Sequence, residues 1–184
     1  MVVRKLGSRN DALYNRVMSH REHRAQSPTK VRCYVLTVSD TRNEETDAGG
    51  RAIVELLTSA GHEVVDRRIV KDEPDQVRAA VALQLAHERV QAIITTGGTG
   101  ISSRDRSYEA VTGLLEKRLD GFGEIFRALS FQEIGPAAML SRAFAGTARS
   151  KILIALPGSE HAVRLALTKL VLPELGHLVR EASR

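Results

Sequence analysis

A three-layer α/β/α domain with a doubly wound, mostly parallel sheet is the fold class this sequence predicts. Three observations predict it. In residues 31–96, apolar β-branched runs alternate with amphipathic segments of helical period in the order βαβαβ. The segments between the runs are long enough for crossover helices, which imposes parallel pairing and right-handed connections. Farther on, residues 143–147 and 151–156 form two strand-like runs joined by a turn at Arg149-Ser150. So short a link leaves only antiparallel pairing, and hence one antiparallel pair in the sheet.

Residues 1–30 read as a basic N-terminal arm, partly ordered, outside a single domain of residues 31–184. The arm holds seven basic side chains against two acidic ones; the remaining 20 basic and 20 acidic groups cancel, so the net charge of +5 belongs to the arm. Leu13, Val17 and Met18 give only a thin apolar stripe, and Ser27-Pro28-Thr29 breaks it. His20 and His23 lack the carboxylates or cysteines of a metal site. A folded nucleic-acid binder carries its basic face on the domain itself, and aromatic residues are only 4% with no tryptophan, which removes base-stacking platforms. No nucleic-acid partner is expected. No apolar run approaches the roughly 18 residues of a membrane span, and the N-terminus lacks a signal-peptide core. A cytoplasmic protein is the expectation.

The first strand covers residues 31–38 and buries the single cysteine, Cys33, which has no partner for an intrachain disulfide. A polar loop follows Ser39-Asp40, with Thr46 or Asp47 placed to cap a helix. That helix turns Ile53, Leu56, Leu57 and Ala60 to one side and ends at Gly61. Residues 64–70 are the second strand. Asp75 is placed to cap the next helix, which points Val77, Ala80, Val81 and Leu85 inward. Residues 91–96 are the third strand. Beyond it, Tyr108, Val111, Leu114 and Leu115 mark a helix, Phe122, Ile125, Phe126 and Leu129 another, and residues 137–141 a short one. In the last helix Pro173 should kink or restart the chain.

The third strand runs into Thr96-Gly97-Gly98-Thr99-Gly100, with Asp105 and Ser107 just beyond. Glycines take positive φ and remove the Cβ atoms that hold a ligand away. Successive backbone N–H groups with a helix N-terminus behind them suit an anion. The loop is neither a Walker loop, having no GK[ST], nor a GxGxxG dinucleotide turn. Parallel strands share one carboxyl end, so the loops at Ser39-Asp40, Lys71-Asp72-Glu73, residues 97–105 and Pro157-Gly158-Ser159 should meet there. Bare carboxylates beside a phosphate cradle would repel it. A bridging Mg²⁺, which takes one or two carboxylates plus phosphate oxygens and water, resolves the conflict. No Cys-His or Ser-His pair stands at these loops to act as a nucleophile.

These residues carry a resemblance. Leu36-Thr37-Val38-Ser39-Asp40, Thr96-Gly97-Gly98-Thr99-Gly100 with Asp105, Gly121-Phe122-Gly123-Glu124 and Leu156-Pro157-Gly158-Ser159 occur in the order and at the distances of the molybdenum cofactor biosynthesis family. The sequence is most similar to the bacterial B branch, then to the molybdopterin adenylyltransferases and gephyrin-like G domains. The resemblance covers about residues 31–182. It implies trimers or hexamers built of two trimers, and Mg²⁺-dependent transfer of AMP from ATP to the terminal phosphate of molybdopterin. It places the two essential aspartates of the catalytic relatives at Asp72 and Asp105, as catalytic and metal-holding residues. Ser39, Asp40, residues 96–100, Ser107 and residues 157–159 become the candidate substrate-binding set. The chain departs from the adenylyltransferases at Ser107-Tyr108, where they usually carry threonine and proline.

A phosphate monoester has a second pKa of about 6, so molybdopterin's phosphate is a nucleophile at neutral pH and needs no general base. A second expectation stands beside this one: an oligomer that binds or carries molybdopterin without turnover. A third, a nucleotide hydrolase resembling the competence-damage-inducible proteins, lacks room for the second domain those chains usually append.

Overall fold

The computed structural model describes residues 26–102 and 105–184. Most of the expected basic arm, with its thin apolar stripe and its histidine pair, lies outside the described residues. Of the arm, residues 26–30 are described. The Pro28 carbonyl closes over Gly176, where a Cβ would collide with it. Gln26 Oε1 accepts a hydrogen bond from Arg180 at 2.9 Å.

The sheet has the order β2-β1-β3-β6-β5-β4, with β1 Arg32–Val38, β2 Glu63–Val70, β3 Ala92–Thr96, β4 Lys117–Arg118, β5 Phe144–Ala148 and β6 Lys151–Leu156. β1 pairs in parallel with β2 and β3, and β3 with β6. β5 alone runs against its neighbours, β6 and β4. The hairpin between β5 and β6 turns at Arg149 and Ser150, both at positive φ. The mostly parallel α/β architecture is thus as the sequence predicts. The edge strand β4 escapes sequence reading: two charged residues carry no alternation.

Helices α1 (Ala48–Ser59), α4 (Asp120–Ile134), α5 (Glu160–Ala166) and α6 (Leu172–Ala182) bury Ile53, Leu57, Phe126, Val163 and Leu175 against one face of the sheet. Helices α2 (Pro74–Ala86) and α3 (Ser107–Thr112) cover the other with Val77, Val81, Leu85 and Val111. The chain therefore leaves β1 on one face and β3, its neighbour, on the other. That divergence opens a crevice at the carboxyl ends of the strands.

Several local expectations need correcting. Asp75 does not cap α2: Glu73 holds that position without a side-chain bond, and Pro74 opens the helix. Proline needs no N–H partner at the first turn. α3 stops at Thr112, so Leu114 and Leu115 pack from the turn beyond it. A 3₁₀ segment, Gly135–Leu140, replaces the expected short helix at residues 137–141. Ahead of Pro173 the helix widens into a π segment, Leu167–Val171, before α6 begins. No described helix is long and apolar enough to cross a membrane.

Candidate active site at the carboxyl ends of the strands

Asp47 is the N-cap of α1 and fixes the loop after β1. Its carboxylate is fully buried and accepts from Gly50 N at 2.9 Å, Thr37 Oγ1 at 2.7 Å and Arg67 at 2.8 Å. Burial alone would raise its pKa. The hydrogen bonds from Thr37, Gly50 and Arg67, with the Arg67 charge, outweigh burial and hold it below the ordinary value. Between β1 and α1, Ser39 Oγ accepts from the backbone N–H groups of Thr41 and Arg42 at 3.3 and 3.2 Å, a serine turn. Asp40 reaches sideways: its Oδ1 accepts from Asp72 N at 3.1 Å. The loops after β1 and β2 are thereby joined.

The turn after β3 is built of backbone. Gly97 and Gly98 have φ of 95° and 63°, which L side chains rarely adopt. A Cβ on Gly97 would strike the Val38 carbonyl. One on Gly98 would lie 2.5 Å from Ser107 Cβ and 3.0 Å from Asp72 Oδ2. One on Gly100 would lie 2.5 Å from Asp105 Oδ2. The absent side chains therefore let both candidate acids close onto a single turn. Ser107 Oγ donates to Asp72 Oδ1 at 2.5 Å, and Asp105 Oδ2 accepts from Ser102 N at 3.0 Å. Burial raises the Asp72 carboxyl above its usual range. The Ser107 hydrogen bond opposes this, and the negative charges of Asp105 and Asp40 add to it. The charges of Asp105 and Asp40 thus raise the cost of ionising Asp72.

Thr96 is buried and donates to the Pro157 carbonyl at 2.8 Å, so it ties two loops together. Ser159 caps α5 by accepting from Ala162 N at 3.3 Å. Residues 97–100, Asp105 and residues 157–159 line one cavity of about 400 Å³, floored by α4 and the 3₁₀ segment. Ser39 and Asp40 line a second, of about 600 Å³, with Lys71. The four loops thus share one end of the sheet but divide between two hollows, and Asp72, held by Asp40 through its backbone N–H, lines neither. The expected helix N-terminus lies against the glycines: α3 begins at Ser107, whose Cβ would be 2.5 Å from a Cβ on Gly98, and Tyr108 N donates to Gly98 O at 3.2 Å.

Arg142, just ahead of β5, is a residue that sequence reasoning missed. Its guanidinium donates to the carbonyls of Thr99 at 3.0 Å, Gly100 at 2.5 Å and Asp105 at 3.0 Å. It also pairs with Glu109 and lies 4.4 Å from the centre of the Tyr108 ring. It clamps the glycine turn from outside. A lone arginine far along the chain gives no sequence signal for that role.

A family model described as "Probable molybdopterin binding domain" matches residues 34–177. The chain is 50% identical over 168 residues to "Molybdenum cofactor biosynthesis protein B" of Bacillus cereus, covering 91% of this chain and 99% of that protein. This chain belongs to the molybdenum cofactor biosynthesis protein B family. The family's member in Bacillus subtilis is 48% identical over the same length and with the same coverage. A crystal structure of a molybdenum cofactor biosynthesis protein B superposes with a TM-score of 0.82 at 51% identity, over 85% of this chain and 98% of that one. The tungsten cofactor synthesizing protein MoaB from Pyrococcus furiosus superposes with a TM-score of 0.75 at 35% identity, over 86% and 100%.

Proposed function

We propose that this member of the molybdenum cofactor biosynthesis protein B family is a Mg²⁺-dependent molybdopterin adenylyltransferase, moving AMP from ATP to the terminal phosphate of molybdopterin. Its place in molybdenum cofactor biosynthesis follows from the family. The observation that carries the finer reading is the placement of Asp72 and Asp105 against Gly98 and Gly100, on one turn of backbone. No group of three or more histidine, cysteine or acidic side chains among the described residues is arranged to hold a metal unaided. Asp72 and Asp105 would hold Mg²⁺ only together with substrate oxygens, as this ion prefers. The ion would neutralise phosphate charge.

The chain's own residues do the positioning. The turn at residues 97–100 presents backbone to the substrate without intervening side chains. Ser107 fixes the Asp72 carboxylate, and Arg142 fixes the carbonyl side of the turn. Phosphoryl-type transfers need positioning and charge stabilisation more than covalent chemistry, in keeping with loops that hold no Cys-His or Ser-His pair among the described residues. Exposed Ile125, Phe131, Ile134 and Met139, on α4 and the 3₁₀ segment, support self-association as a trimer or a hexamer.

The test is direct. Purified protein given ATP, Mg²⁺ and molybdopterin should release pyrophosphate, and Asp105→Asn should lower the rate by at least about 100-fold while keeping the oligomer. Tight pterin binding with no ATP consumption under any metal would replace this reading by that of a carrier.

A further inference from the structure

Asp72 is gripped from two directions. Its side chain is held from the start of α3, where Ser107 Oγ donates to Oδ1 at 2.5 Å. The other oxygen, Oδ2, lies 3.0 Å from where a Cβ on Gly98 would stand. Its main chain is held from the loop after β1: Asp40 Oδ1 accepts from Asp72 N at 3.1 Å. The second grip has its origin in the sheet. β1 and β2 pair in parallel as far as Val38 and Val70, and Ser39 N donates to Val70 O at 2.8 Å. Beyond that bond the two chains part, and Ser39 Oγ accepts from Thr41 N and Arg42 N in its own loop. The Asp72 N–H is then taken by a side chain, so Asp40 prolongs the pairing of the two loops by one hydrogen bond.

Asp40 does not line the glycine-turn cavity. Nor do the described residues hold any group of three or more histidine, cysteine or acidic side chains placed for a metal, so Asp40 is not a third ligand beside Asp72 and Asp105. As a charge it works against its neighbour, adding to the cost of ionising Asp72. What it supplies is an acceptor.

We propose that Asp40 is a positioning residue: as a hydrogen-bond acceptor, not as a charge or a ligand, it fixes the Asp72 main chain and so keeps the Asp72 carboxylate at the glycine turn. The catalytic weight of Asp72 rests on the adenylyltransferase reading; the grip on its main chain rests on the hydrogen bond itself. Held at both ends, the Asp72 carboxylate has little room to swing, and a displacement of about 1 Å in a reacting group costs on the order of 100-fold in rate.

The test compares two variants of the full chain. Asp40→Ala removes the acceptor; Asp40→Asn keeps an acceptor and removes the charge. Amide hydrogen exchange at Asp72, followed by NMR without any ligand, should quicken at least about tenfold in Asp40→Ala and stay within about threefold of wild type in Asp40→Asn. Binding of Mn²⁺ together with α,β-methylene-ATP should weaken at least about fivefold in Asp40→Ala and recover in Asp40→Asn. In AMP transfer, kcat should fall at least about tenfold in Asp40→Ala with KM for molybdopterin held, and Asp40→Asn should restore most of the loss. Unchanged exchange at Asp72 in Asp40→Ala, equal losses in the two variants, or no Mn²⁺ binding by the wild-type chain would each overturn the proposal. A chain that transfers no AMP loses the enzymatic reading, and exchange and Mn²⁺ binding then decide the role of Asp40. A chain that transfers AMP with an undiminished kcat in Asp40→Ala retains the enzyme and loses the positioning role.

Discussion

Ser107 Oγ and Asp72 Oδ1 lie 2.5 Å apart, joining the start of α3 to the loop after β2. This hydrogen bond favours the ionised carboxylate and opposes the upward pull of burial and of Asp105 and Asp40. Ser107→Ala removes the larger opposing influence and leaves only the backbone hydrogen bond from residue 107, so the Asp72 pKa rises further. The acid limb of the pH–rate profile for AMP transfer should then move to higher pH, with the plateau rate retained at pH 8 to within about tenfold. A profile that keeps its position would show that Asp72 does not titrate in the rate-limiting complex.

Glycine at position 97 answers both a conformational and a packing demand; glycine at 61 answers only the first. Both have positive φ, 95° and 84°, but nothing lies near the Cβ position at Gly61, whereas the Val38 carbonyl occupies it at Gly97. Gly61→Ala should cost about 1–2 kcal/mol in denaturant unfolding, the left-handed penalty alone. Gly97→Ala should cost at least about 1 kcal/mol more, because backbone must move to admit the methyl group.

Arg142 spreads its donors over three carbonyls and stacks on Tyr108, a task for a planar fork. Arg142→Lys keeps the charge and loses the fork. It should lower kcat/KM for AMP transfer by about tenfold or more, at about 1.4 kcal/mol per factor of ten, while Asp47-dependent stability is unaffected. Equal kcat/KM in the two proteins would reduce Arg142 to a surface contact.

The Asp47–Arg67 pair contributes to acid stability. The folded-state pKa of Asp47 lies below its ordinary 3.8. Its contribution is therefore complete above the unfolded pKa and is lost as pH falls through the lower, folded value. Asp47→Asn should destabilise the chain by about 3–5 kcal/mol at neutral pH, since Arg67 is left without its counter-charge. The difference between wild type and variant should shrink below about pH 4 in denaturant melts run across the range.

What could be read from the chain was what repeats locally. β-branched runs and helical spacing gave the order of strands and helices, and three glycines after β3 marked the turn. Parallel strands sharing one end then led to the loops, and the family likeness singled out Asp72 and Asp105. Features set by distant partners stayed hidden. Arg142 meets Gly100 across 42 residues, and nothing near it in sequence announces that contact. Arg67 and Arg68 read simply as part of a strand, because strand period does not report which cation will flank a cleft. Asp75 was the natural cap by type, yet Pro74 sets the helix start by its fixed φ.

A Cβ on Gly158 would lie 3.4 Å from Gly97 Cα, and one on Gly49 would lie 3.4 Å from Gly158 O. Two strand-end loops and the first turn of α1 therefore meet through glycines. Main chain has no rotamers to rearrange and no side-chain chemistry to drift. An inhibitor seated on that floor would meet a surface that point mutation can change only by replacing a glycine, so escape variants should arise at the rim.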